Sequence, residues 1–121
     1  MSRERFLRFL DAAEYLAANI HEAPVWIVPC LAGPRGSGSS IFPAVQNIIL
    51  ACRGLGLGTV ITTNHIRCED EVKALLGIPE DVSTWALMPV GWPIDKFGPL
   101  TRQPLTEVAH ANRWGAAWPG H

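Results

Sequence analysis

Residues 38–63 read GSSIFPAVQNIILACRGLGLGTVITT, and this stretch decides the fold. Its first half is apolar around much of a helical circumference, a pattern typical of a deeply buried helix. Pro43 is close enough to the start of that helix to be tolerated in its first turn. Either Ser39 or Ser40 can cap the helix, because a serine hydroxyl accepts a hydrogen bond from an otherwise unpaired N–H. We therefore predict a buried helix that begins near Pro43.

A run of glycines ends this helix. Gly56 or Gly58 can stop it, because glycine adopts the left-handed conformation without a steric penalty. Residues 59–63, TVITT, follow at once, and a run of β-branched residues is typical of a strand. The stretch therefore predicts a helix that leads directly into a strand.

The flanking sequence continues this alternation of helix and strand. An unbroken β-branched and aromatic run predicts a strand at Val25–Val28 that is covered on both faces. Pro89 argues for an edge position or a bulge in the last strand, because proline cannot donate to a ladder. The glycine-rich segment 33–40 predicts an irregular loop. The other predicted elements are helices at Phe6–Ile20 and Glu69–Leu76, a strand at Trp85–Val90 and a helical turn near Leu105–His110.

This element order predicts a layered α/β or α+β domain in which helices cover a mostly buried sheet. Three strands are predicted, and their apolar edges call for further strands from elsewhere. The chain has 121 residues, so residues 1–121 form one domain or a piece of one. With 48% hydrophobic and 17% charged residues, we expect a packed interior.

The charge and the cysteines limit the classes of partner. A formal net charge of −1 gives no electrostatic argument for nucleic acid or an anionic membrane. No segment approaches the roughly 20 apolar residues that span a bilayer, and the charged N-terminus does not resemble a signal peptide. Three cysteines without CxxC spacing indicate reduced thiols in a cytoplasmic protein and no metal site.

The sequence contains no self-sufficient catalytic set. A GxxxxG spacing runs from Gly33 to Gly38, but the phosphate-binding lysine of a P-loop is replaced by Ser39. The histidines show no ligand spacing, and no serine lies in a GxSxG elbow. The chain is therefore either a binding or structural module, or a protein whose chemistry is supplied by a cofactor.

Several stretches resemble the nitroreductase family of flavoproteins. The segment 38–63 is similar to the family helix (S)xxPAxQNxxLAAxxLGLGT and the strand that follows it. LLGIPE at 75–80, ALMPVGWP at 86–93 and RQPLTEV at 102–108 follow in the family's order. The resemblance covers roughly residues 23–115.

The resemblance implies an α+β, nitroreductase-like α-β-α sheet that forms a domain-swapped homodimer with FMN at its interface. NAD(P)H would reduce the flavin, and a small-molecule electron acceptor such as a nitroaromatic or quinone would reoxidise it. Backbone groups of Ile61, Thr62 and Thr63 would approach the edge of the isoalloxazine ring. Arg102 would contact the FMN phosphate, and Ser39 and Ser40 would lie near the mouth of the substrate site.

One departure from the family pattern bears on completeness. The family begins with a basic RRS(V/I)R segment that binds the ribityl and phosphate groups, and this sequence has no counterpart. We therefore expect a truncated, C-terminal portion of a nitroreductase-like domain, completed by dimerisation or a separate chain. The alternatives are a non-catalytic remnant that serves as an oligomerisation or binding module, and a misplaced start codon.

Overall fold

The computed structural model describes residues 3–33 and 35–119, apart from the side chain of Ser37. Helices and short strands alternate along these residues, in the α+β arrangement that the sequence predicts. The helices are α1 (Arg3–Asn19), α2 (Phe42–Gly54), α3 (Glu69–Leu76) and α4 (Leu105–Val108). The strands are β1 (Val25–Ile27), β2 (Cys30–Ala32), β3 (Gly58–Thr59), β4 (Val82–Thr84) and β5 (Met88–Gly91). Short 3₁₀ turns lie at Ile20–Glu22, Arg35–Ile41 and Asn64–Cys68.

The strands form two small antiparallel sheets. One has the order β1-β5-β3, and the other pairs β2 with β4. Between them the register slips by one residue: Ile27 faces Met88, whereas Cys30 faces Thr84. Residues 85–87 therefore hold one residue more than the opposing chain, which is the count of a β-bulge. The bulge divides what would otherwise be one long two-stranded ribbon.

Pro89 lies in the central strand of the larger sheet, so the predicted edge position is wrong, whereas the predicted alternative, a bulge, lies in the same stretch at residues 85–87. Thr59 pairs with Val90 and Thr62 with Leu87, which keeps one register along β5. Pro89 lies two residues from Leu87, so its nitrogen faces the same neighbour and offers no N–H there. This explains why the ladder lapses between Thr59 and Thr62, and why β3 is shorter than the predicted strand at 59–63.

The three main helices lie where the sequence predicts them, and glycines end two of them. Gly56 has φ +78°, and the N–H groups of Gly56 and Leu57 bond to the carbonyls of Arg53 and Cys52. These two bonds form the Schellman motif that commonly closes a helix. Gly77 ends α3 in the same left-handed region, with φ +67°.

Two expectations for the start of α2 are wrong. Segment 35–41 is a 3₁₀ helix rather than an irregular loop, and it runs directly into α2. The residue before α2 is therefore Ile41, in helical conformation, and no side chain caps the helix. Ser39 and Ser40 do not cap it, because the preceding 3₁₀ turn already continues the helical path.

The core is small. Val45 of α2 packs with Ala86 and Met88. No residue of α1 is buried, α2 buries only Val45 and Cys52, and β1 leaves Trp26 49% exposed. The expected deep burial of α2 and of both faces of β1 is therefore absent in the chain alone.

The total exposed area shows how much surface the chain alone leaves uncovered. The chain exposes 9552 Å², whereas a compact monomer of the same mass exposes about 6,400 Å². Apolar surface on α1, β1 and α2 is thus left without a partner. Within the described part of the chain, no helix is both long and apolar enough to cross a bilayer.

Candidate functional site

A groove of about 400 Å³ lies between α1 and the segment that follows β3. One wall is the chain at 60–64, which contains the three residues predicted to approach a flavin. The other wall is one face of α1, where two alanines leave room between larger side chains. This α1 wall consists of Phe9, Ala12, Ala13 and Leu16.

The backbone of the 60–64 wall has a defined direction. Thr62 exchanges two hydrogen bonds with Leu87, N–H to carbonyl at 3.0 Å and carbonyl to N–H at 2.8 Å. The C=O and N–H of a trans peptide point in opposite directions. The N–H of Thr63 and the C=O of Ile61 therefore point away from Leu87, toward the open edge. In the described residues the Thr63 N–H has no hydrogen-bond partner.

This arrangement suits a flat, partly polar ring. An open backbone donor beside an apolar wall can bond a ring nitrogen or carbonyl oxygen, while the wall covers an apolar face. Thr62 itself cannot serve in that way, because Leu87 already occupies both of its backbone groups. Of the three predicted residues, Thr63 is the one with a donor to offer.

The remaining predicted site residues lie outside the groove. Arg102 is exposed, and its guanidinium donates only to the carbonyl of Thr101, at 3.0 Å. Ser39 and Ser40 are exposed on the 3₁₀ segment. The structure thus brings Ile61, Thr62 and Thr63 together, and it does not bring the other three residues to them.

A chain of polar side chains lies next to the groove. Arg35 donates to one oxygen of Glu69. The other oxygen of Glu69 accepts from the N–H and the hydroxyl of Thr84, at 2.7 and 2.8 Å. His65 Nε2 lies 3.0 Å from the same hydroxyl, and its Nδ1 is buried without a partner in the described residues. We call these four residues the Arg35–His65 chain.

The Arg35–His65 chain shifts the titration of its members. Burial opposes ionisation of Glu69, but the Thr84 N–H, the Thr84 hydroxyl and the Arg35 guanidinium outweigh it and lower the pKa of Glu69 to about 2. Burial lowers the pKa of His65; the Glu69 carboxylate opposes this, and Arg35 adds to it. Burial and the Glu69 carboxylate raise the pKa of the Cys30 thiol. At neutral pH, Glu69 is ionised and His65 is neutral.

Sequence reasoning missed both the α1 wall and the Arg35–His65 chain. The α1 wall left a signal, since its apolar stripe needs a surface to cover. The Arg35–His65 chain left none, because its members lie in a turn, a helix and a strand whose contact depends on the fold. Among the described residues, no cluster of three or more His, Cys, Asp or Glu is placed to hold a metal ion.

The sequence and the fold of this chain are similar to those of known proteins. A sequence model described as the nitroreductase family matches residues 2–92. A protein of Methanothermobacter thermautotrophicus, provisionally named NADH dehydrogenase/NAD(P)H nitroreductase, is 34% identical over 107 residues, covering 80% of this chain and 54% of that protein.

A crystal structure from Parabacteroides distasonis, of a protein with the same provisional name, gives a TM-score of 0.62 at 24% identity. It covers 80% of this chain and 66% of that one, and at this identity the likeness shows the fold. The chain spans about half the length of the curated relative that it matches. Since the family pattern extends over three quarters of its residues, the chain belongs to the nitroreductase family.

Proposed function

We propose that the chain is the subunit of a flavin-dependent oxidoreductase that passes hydride from NAD(P)H through FMN to a nitroaromatic, a quinone or a similar acceptor. The observation that carries the proposal is the open Thr63 N–H on the wall of an apolar groove. Family membership supports the oxidoreductase class. The name of the curated relative supports a reaction that uses a nicotinamide nucleotide.

The residues present fit the ring of a flavin better than its phosphate. When bound, FMN supplies the hydride transfer itself. The Thr63 N–H would donate to the ring edge and favour the electron-rich reduced form. The α1 wall would exclude water from one side of the ring. Arg102 is our candidate for the phosphate, and it would reach that group only if the C-terminal segment or a partner brought it there.

Ser39 and Ser40 are our candidates for acceptor contacts. Both hydroxyls are solvent-accessible on the 3₁₀ segment. Each can donate to a nitro or quinone oxygen. Both lie outside the groove, so an acceptor would have to extend from the flavin at α1 and 60–64 to the 3₁₀ segment to reach them. In this proposal the chain positions the reactants and contributes no acid–base residue.

We propose a homodimer as the working form. The chain exposes 9552 Å², roughly 3,000 Å² more than a compact monomer of its mass. Obligate dimers bury about 2,000–5,000 Å² in total, so the excess exposed area is of the size that one buries. Three free cysteines support a reducing, cytoplasmic location for that dimer.

A flavin titration of the purified chain tests the proposal. We expect FMN to bind with quenching of its fluorescence, and we expect NADH to bleach the bound flavin under anaerobic conditions. Sedimentation velocity in the same buffer should give twice the mass of 13.2 kDa. A chain that dimerises yet fails to bind FMN would contradict the proposal.

That negative result would favour the second candidate, a non-catalytic oligomerisation or binding module. The observation behind it is the placement of Arg102 outside the groove, with only a neighbouring carbonyl as partner. The two functions differ in one measurement. A binding module forms the dimer and does not bind FMN, whereas a flavoprotein subunit forms the dimer and binds FMN.

A further inference from the structure

The Arg35–His65 chain connects the groove to the serine-bearing segment. Asn64 lines the groove, and His65 follows it directly. From His65 the hydrogen bonds pass through Thr84 and Glu69 to Arg35, the first residue of the 3₁₀ helix. One continuous set of contacts therefore joins the wall at 60–64 to the turn that carries Ser39 and Ser40.

The directions of these bonds are fixed. An ionised Glu69 only accepts, so the Thr84 hydroxyl must donate to it. That hydroxyl can then only accept from His65, which requires the proton on Nε2 of a neutral imidazole. Each member thus constrains the next. His65 is only 7% exposed, so water does not readily replace its bond to Thr84.

Segment 35–41, at the Arg35 end of the Arg35–His65 chain, is tightly packed. The Arg35 guanidinium lies over the Trp85 ring, 5.3 Å from its centroid. Gly38 is buried against the same ring, which leaves no space for a side chain. Ser83 donates to the carbonyl of Gly33 at 3.0 Å, just before the segment. The Arg35–Glu69 ion pair adds a polar link from this segment, through Thr84, to His65 beside the groove wall.

We propose that Glu69 is a positioning residue. Through Arg35 it holds segment 35–41 against β4 at a fixed place relative to the groove, and in this way it sets the affinity for the electron acceptor. The acceptor part rests on the proposed function, in which Ser39 and Ser40 contact the acceptor. Glu69 itself would touch neither the flavin nor the acceptor.

Glu69→Gln isolates the ion pair. The amide oxygen can still accept both bonds from Thr84, while the amide nitrogen faces Arg35 and cannot accept from it. Glu71→Gln is the matched control, since Glu71 is an exposed acid on the same helix with no ion pair among the described residues. His65→Gln is a milder variant that keeps an N–H donor toward Thr84.

The rate of trypsin cleavage measures how firmly segment 35–41 is held, and this measurement does not depend on enzyme activity of the protein. Trypsin cleaves after Arg35, whose guanidinium is held by Glu69 and so is withheld from the protease. Loss of a charge-assisted bond should speed cleavage between residues 35 and 36 about tenfold in Glu69→Gln. Cleavage after Arg53, in the same digest, should keep its rate. Glu71→Gln should match the wild type at both sites.

Steady-state kinetics of the FMN-loaded protein report the acceptor. With menadione as the quinone, we expect Glu69→Gln to raise KM about fivefold, close to 1 kcal/mol of lost binding. The rate of flavin reduction by NADH in stopped flow should stay unchanged, because Glu69 does not reach the ring. If Glu69→Gln does not fold, Arg35→Lys serves instead, since it keeps a trypsin site but replaces the guanidinium that donates to Glu69.

Each result bears on the inference. Faster cleavage after Arg35 together with a raised KM supports it. Unchanged cleavage overturns the positioning role, and faster cleavage with an unchanged KM overturns the link to the acceptor. A wild-type chain that binds no FMN defeats the proposed function and the acceptor link together, while the cleavage rates still decide whether Glu69 positions the segment.

Discussion

Thr62 and Leu87 exchange both of their backbone hydrogen bonds, at 3.0 and 2.8 Å. This single pair continues the register of β5 beyond Pro89 and holds the 60–64 wall at the sheet. Its geometric consequence is that the donor of Thr63 points away from the sheet. The sheet thus leaves a donor open on a groove wall, which is what the proposed flavin contact requires.

The groove volume depends on the small residues of α1. Ala13→Leu adds three carbon atoms to the α1 wall of a groove of about 400 Å³. We expect it to weaken FMN binding by roughly tenfold, since an overfilled site costs about 1–3 kcal/mol. Ala18→Leu is the control, because Ala18 is on the same helix, exposed and outside the groove. Fluorescence titration measures both, and equal losses would contradict the groove as the flavin site.

The assignment of Arg102 to the phosphate has a test that needs no structure of the complex. Arg102→Ala should raise the Kd for FMN about tenfold or more, the loss of one charge-assisted bond. Riboflavin, which lacks the phosphate, should bind both forms equally. Arg113→Ala controls for the loss of a positive charge on the same exposed C-terminal region. If Arg102→Ala weakens riboflavin as much as FMN, the phosphate assignment is wrong.

The sequence predicted the elements well where the local pattern alone sets them. The Schellman bonds at Gly56 and the left-handed Gly77 both follow from glycine at a helix end. It failed at Pro89, because whether proline is tolerated depends on which neighbour its nitrogen faces, and that is set by the sheet. Strands β2 and β4 were missed because their three-residue runs carry no usable period.

The candidate site also combines residues that are adjacent in sequence with one that is distant. Ile61, Thr62 and Thr63 are adjacent in sequence and line one groove, and their contact with a flavin stays a prediction. Arg102 is distant in sequence, and the chain alone does not bring it to the groove. Contacts between remote residues require either the fold or the partner, and the sequence of one chain specifies neither directly.

Gly38 offers a test of how tightly segment 35–41 is seated. A Cβ at this position would lie 1.7 Å from Cζ2 of Trp85, whose ring is also covered by Arg35. Gly38→Ala should therefore cost about 1–3 kcal/mol, as overpacking does, and lower the Tm by several degrees. Gly36→Ala is the matched control in the same turn, because nothing lies within 4 Å of its added carbon. Equal Tm values for the two variants in calorimetry would contradict this packing.

Acid should destabilise the folded chain through Glu69. Its pKa is about 2 in the folded state against an ordinary value of 4.5, so the unfolded state takes up its proton first as the pH falls. The stabilisation is therefore complete above pH 4.5 and is lost toward pH 2, on the order of 3 kcal/mol.

His65 acts in the same direction at higher pH. Its folded-state pKa lies below 6.5, so its contribution to the free energy of unfolding is present above that pH and declines below it. Urea unfolding across pH 2–8 separates the two groups. Glu69→Gln should flatten the stability profile below pH 4.5, and His65→Gln should reduce the fall that begins below pH 6.5. A wild-type profile that stays level from pH 7 to pH 3 would show that the Arg35–His65 chain does not hold its protons as the geometry requires.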